Sequence, residues 1–94
     1  MAKFVVDVEK GILALGGEMH ADCEEMLLRN GSKQEHLWGA NLYPFREGDE
    51  RIEYTSLINI RPSAGNRSMA IQDEAIKRKV KDAVERLLLS PEDH

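Results

Sequence analysis

Disulfide chemistry is the first thing this chain does without. Its single cysteine, Cys23, excludes an internal cross-linked framework and fits a reducing cytoplasm. Long apolar stretches are missing too. Runs such as Leu87-Leu88-Leu89 fall far short of the roughly 20 apolar residues that a membrane-spanning helix needs. Near the amino terminus Asp7 stands where a signal peptide would carry its apolar centre, which argues against export. The sequons Asn30-Gly31-Ser32 and Asn66-Arg67-Ser68 then carry no meaning, because a cytoplasmic chain meets no glycosylation machinery. Positive charge is also short. The net charge of −4 argues against a general nucleic-acid binder, which is usually basic. Aromatic residues make up only 5% of the chain, so each one counts as an anchor for a core or a contact surface.

What remains is an ordinary balance of 41% hydrophobic and 32% charged residues, the composition of a soluble globular protein. The 94 residues suffice for one domain, spanning 1–94. Charge is unevenly spread. Residues 1–60 carry six basic and eleven acidic side chains, whereas 61–81 carry six basic and two acidic. A locally positive segment in an acidic protein is compatible with a confined anion site. Alternatively, Lys77, Arg78, Lys79 and Lys81 line the wet side of a helix.

The hydrophobic pattern divides the chain into six elements. Lys3–Glu9 is rich in β-branched residues, and Ile12–Leu15 is a second strand-like run. Glu9-Lys10-Gly11 between them suits a three-residue hairpin loop with Gly11 in the left-handed position. Gly16-Gly17 breaks the strand. From Glu18 the period changes: Met19, Cys23, Met26 and Leu27 share one helical face, and Asn30-Gly31 stops the helix. His36–Tyr43 reads as a third strand ended by Pro44. Arg51–Ile60 reads as a fourth, with Ile52, Tyr54, Ser56, Ile58 and Ile60 on one side. Ile76, Val80, Ala83, Val84, Leu87 and Leu88 then recur at helical spacing, after an Asp73 cap and before Ser90-Pro91. The order β-β-α-β-β-α predicts an α+β domain, with a four-stranded, mainly antiparallel or mixed sheet packed against two helices. Two layers are expected, with both helices on one face; helices on both faces are the alternative. The first helix should cross between parallel or same-sheet neighbours.

No catalytic signature is present. Gly16-Gly17 lacks the third glycine and the Lys-Ser/Thr pair of a phosphate-binding turn, and four acids follow within eight residues. Glu18, His20, Asp22, Cys23 and Glu24 have metal-ligating side chains, but a structural zinc site needs a second ligand pair that the chain does not supply. Cys23, on the apolar face, reads as a buried thiol. No cofactor is implied. Glu18 with His20 supports only an acid-base hydrolase or transferase reading, with no nucleophile in sight. Trp38 is expected in the core, and Tyr43 is assignable either to the core or to a contact surface.

The segment from Asn59 to Ser68 is the most promising site. It joins the fourth strand to the last helix through an unusually long connection. Asn59, Arg61, Asn66, Arg67 and Ser68 supply amides, guanidinium groups and a hydroxyl for a small anionic or nucleotide-like ligand. If the third and fourth strands pair, Asn41 and Tyr43 lie beside Thr55, Asn59 and Arg61. The bland reading is that these groups satisfy loop carbonyls. A protein-interaction role through an open sheet face, as a monomer or homodimer, is the competing function.

The strings Leu15-Gly16-Gly17-Glu18-Met19-His20-Ala21-Asp22, Trp38-Gly39-Ala40-Asn41, Ser56-Leu57-Ile58-Asn59-Ile60-Arg61-Pro62 and Gly65-Asn66-Arg67-Ser68 carry a resemblance. Together they resemble a family of short, single-domain prokaryotic proteins classed as a domain of unknown function. The likeness runs from the first strand to the last helix. It implies a cytoplasmic, free-standing α+β domain and carries no activity or site residues with it.

Overall fold

A strand with apolar side chains pointing both ways can be satisfied only between two layers, and Phe4-Val5-Val6 is such a strand. In the computed structural model, which describes residues 1–16 and 18–88, all three side chains are fully buried. They lie in β1 (Ala2–Asp7), which pairs antiparallel with β2 (Ile12–Leu15) on one side and with β3 (Leu37–Leu42) on the other. β3 pairs antiparallel with the short β4 (Ile52–Glu53), giving the order β2-β1-β3-β4. Helix α1 (His20–Arg29) connects β2 to β3, and α2 (Glu74–Leu87) closes the domain. The fold is thus α+β in the expected order. Because β2 and β3 both flank β1, α1 bridges two same-sheet strands that run in one direction.

The two helices take opposite faces of the sheet, which corrects the two-layer expectation in favour of its alternative. Phe4, Val6, Trp38, Ala40 and Leu42 pack against Val80, Ala83 and Val84 of α2. Val5, Ala14 and Leu37, of the other parity, pack against Cys23 and Leu27 of α1. The physical cause is local: β1 and β3 are buried on both faces, so a single helical layer would leave half of their apolar surface in water. Trp38 is in the core, and Tyr43 is half-buried next to β4. The α1 stripe is narrower than its period implied. Cys23 and Leu27 are buried, while Met19 and Met26 are exposed.

Capping follows the sequence. Asp7 pairs with Ile12, so the β1–β2 loop holds four residues, 8–11, instead of the expected three; Asp7 Oδ1 accepts from the N–H groups of Glu9 and Lys10, and Gly11 takes φ +69°. The Met19 N–H donates to Asp22 at the start of α1, and Asp73 accepts from the Ala75 N–H at the start of α2. The Gly17 break, Leu89 and the Ser90-Pro91 stop fall outside the described residues.

The main departure is the fourth strand. Arg51–Ile60 does not continue as one strand beyond Glu53. The Thr55 N–H turns back to the Glu53 carbonyl at 3.0 Å, and the backbone of residues 54–56 then bonds to that of 69–71 instead of the β3 backbone. The Ser56 hydroxyl accepts from the Ile58 N–H and starts a 3-10 turn at Leu57–Asn59. Alternation is lost there: Ile52 and Tyr54 border the α2-side core, while Ile58 borders the α1-side core.

Candidate functional site

Where β4 stops, the outer edge of β3 keeps polar backbone groups that need partners. Side chains from the following segment supply them. The fully buried Asn59 accepts from the Gly39 N–H at 2.8 Å and donates to the Gly39 carbonyl at 3.0 Å, as a neighbouring strand would. It also donates to the Met69 carbonyl. Arg61 donates to the Leu37 carbonyl, lies over the Trp38 ring and pairs with Glu24 of α1 at 3.9 Å. Burial pulls the Arg61 guanidinium below its ordinary pKa, and Glu24 acts in the opposite direction. Close approach is built in at Gly39. A Cβ there would stand 2.7 Å from the Ser56 Cβ.

The loop after Arg61 folds back on itself. Arg61 and Asn66 exchange backbone hydrogen bonds around a 3-10 turn at Pro62–Ala64, closed by Gly65 at φ +78°. The buried Asn66 amide donates to the carbonyls of Asn59, Ser68 and Ala70 and accepts from the Gln72 N–H. The Ser68 hydroxyl accepts from the Ala70 N–H. Arg67 is exposed on the loop. The five residues singled out in the sequence are therefore neighbours, and four of them direct polar groups at the backbone of the fold. Glu18 is exposed, and no hydrogen bond or ion pair joins it to His20 among the described residues.

Two cavities lie along α1, on either side of the Leu57–Ile58 ridge that both share. The first, of about 450 Å³, opens over the part of the sheet that α1 leaves uncovered. Met1, Met19, Leu57 and Met69 form its apolar rim, and all four are exposed. Lys3, Asn41, Glu53 and Thr55 supply polar groups, and His20 stands at the helix end. Asn41 is only 6% exposed. Its amide nitrogen donates to Glu53 Oε1 at 2.9 Å and to the Thr55 carbonyl at 3.4 Å, while its buried Oδ1 makes no well-formed hydrogen bond. His20 Nε2 lies 2.8 Å from the Ala40 carbonyl, which can only accept, so Nε2 carries the proton. Burial, reinforced by the Lys3 charge, holds the His20 pKa below its ordinary value, while the Ala40 carbonyl and the Asn41 amide favour the charged ring. The imidazole is thus neutral near pH 7, with Nδ1 as an acceptor.

The second cavity, of about 460 Å³, is polar. Glu24, Glu35, Gln34, Ser63 and Arg61 line it, together with Leu57, Ile58 and Ile60. Glu24 Oε2 and one Arg61 terminal nitrogen are buried there without hydrogen-bond partners. Two carboxylates against one guanidinium make this basin net negative.

Residues 1–87 match the model of a protein family described as "Protein of unknown function (DUF5674)". The chain belongs to this family. Neither the curated proteins nor the solved structures gave a match. In this DUF5674 member, Asn41 and Thr55, expected on adjacent polar rows of the third and fourth strands, both line the first cavity. His20, the acid-base candidate of the sequence, lies at the same place. The methionine rim was missed. Met19 was assigned to a buried face, while Met1 and Met69 sit outside any periodic pattern, so only their convergence in space reveals them. No described helix is long and apolar enough to cross a membrane.

Proposed function

We propose that this protein is a small binding module. Its ligand site is the methionine-rimmed cavity, and the ligand carries an apolar group beside a hydrogen-bond donor. The buried Asn41 Oδ1, which makes no well-formed hydrogen bond, is the observation that carries this reading. A buried acceptor without a donor costs about 1–3 kcal/mol, which a ligand N–H or O–H arriving there would recover. Unbranched, polarizable methionine side chains adapt to apolar groups of different shape, a property of binding surfaces more than of rigid cores. The neutral His20 offers a second acceptor at Nδ1. A cytoplasmic setting belongs to the same reading, since the lone Cys23 thiol is buried and free.

The anion role expected for Asn59, Arg61, Asn66, Arg67 and Ser68 draws less support, because four of the five already hold backbone groups. A hydrolase or transferase role for Glu18 with His20 has no contact between the two to support it.

Methyl resonances of the four methionines provide the test. Titration with pentanamide, which joins an apolar chain to an N–H donor, should shift Met1, Met19 and Met69 and leave Met26 unmoved. The Asn41→Leu variant should lose the shifts while keeping the folded spectrum. Uniform shifts, or none, would sink the proposal.

A further inference from the structure

We infer that the ligand is an extended peptide with an apolar residue followed, two positions on, by a lysine or arginine. This rests on the cavity reading above and extends it across the Leu57–Ile58 ridge. The two basins share that wall, so an occupant longer than one side chain reaches both. In an extended chain, residues i and i+2 point the same way about 7 Å apart, which lets neighbouring side chains enter neighbouring basins.

Each basin specifies a different chemistry. Among the methionines, an apolar side chain is accepted and a peptide N–H can donate to Asn41 Oδ1. Across the ridge, Glu24 Oε2 is buried 3.9 Å from Arg61 without a hydrogen bond, and Glu35 adds a second negative charge at the rim. A cationic head suits that end, and Leu57, Ile58 and Ile60 can cover its aliphatic stem. The partnerless Arg61 nitrogen supplies a donor for a peptide carbonyl. An acidic residue in the same position would meet two carboxylates against one guanidinium and be repelled. Charge complementarity therefore selects the peptide's second anchor, as opposite-sign grooves do in recognition generally.

The test uses three fluorescein-labelled pentapeptides in anisotropy titrations with the full chain: Ser-Leu-Ser-Lys-Ser, Ser-Leu-Ser-Glu-Ser and Ser-Gly-Ser-Lys-Ser. The first should bind at least tenfold more tightly than either of the others. Glu35→Gln, at an exposed position, should weaken the first peptide and tighten the second, whose glutamate then meets one carboxylate fewer. Glu24→Gln should act in the same direction; the Glu35 variant carries the test should Glu24→Gln disturb the Arg61 pair. Equal binding of the lysine and glutamate peptides overturns the basic-residue claim while the apolar-cavity reading stands. Failure of every peptide, with pentanamide still shifting the three methionines, overturns the peptide claim alone. Methionine shifts that grow with protein concentration and no added probe would identify a second copy as the occupant, overturning it as well.

Discussion

Gly39 shows how much a single residue can decide here. It lies on β3 with no room for a side chain, because Ser56 and His20 crowd the space where a Cβ would go. The Gly39→Ala variant is expected to lose about 2 kcal/mol of stability, in the range of overpacked cores. Removing the opposing Cβ with Ser56→Gly should restore part of that loss. Chemical denaturation of both single variants and the double variant measures the coupling, and simple additivity would show that the approach is unimportant. Nothing local announces this contact: Gly39 and Ser56 are distant in the chain and share no periodic pattern. The case of Asn59 is similar, since a polar residue in a long loop reads equally well as ligand or scaffold until its partners are known. Asn41 is legible in part, through its parity with Tyr43, but the lack of a hydrogen bond to its oxygen is a fact of packing.

At the scale of elements, periodicity located both helices and the first hairpin, because those depend on side-chain spacing and local caps. The fourth strand was over-read. Arg51–Ile60 has good alternation, yet β4 holds only Ile52–Glu53. Beyond it the amide of Asn59 and the guanidinium of Arg61 occupy the β3 edge in place of backbone. Replacing Asn59 with alanine removes both bonds to Gly39 in a fully buried setting. A loss of about 3 kcal/mol is expected, since two buried backbone groups are left without partners. Urea unfolding measures it. Native-state hydrogen exchange should also show faster exchange of the Gly39 amide in this variant. A variant as stable as the parent would mean that another group or water serves the edge equally well.

For the whole molecule, the sheet between two helices makes β1 the centre, and Asp7 at its end is a fully buried carboxylate. Burial raises its pKa, but the Lys10 and Glu9 N–H groups, with Ser32 and His36 nearby, prevail and hold it below the ordinary value. A carboxyl group depressed in the folded state stabilises the fold above its unfolded pKa, near pH 4. That contribution disappears as pH falls through the folded value. The urea midpoint should therefore drop below about pH 4, and Asp7→Asn should flatten that part of the profile relative to the parent. An unchanged profile in the variant would assign acid sensitivity to other carboxylates. The sequence by itself determined the element order, the hairpin, the helix caps and the need for a core, because these follow from spacing and short-range hydrogen bonding. Only the tertiary structure decided which face each helix covers, what completes the β3 edge and which side chains converge on the methionine-rimmed cavity. Those outcomes arise from competition among distant groups for the same backbone atoms and apolar surface, and no local pattern records who wins.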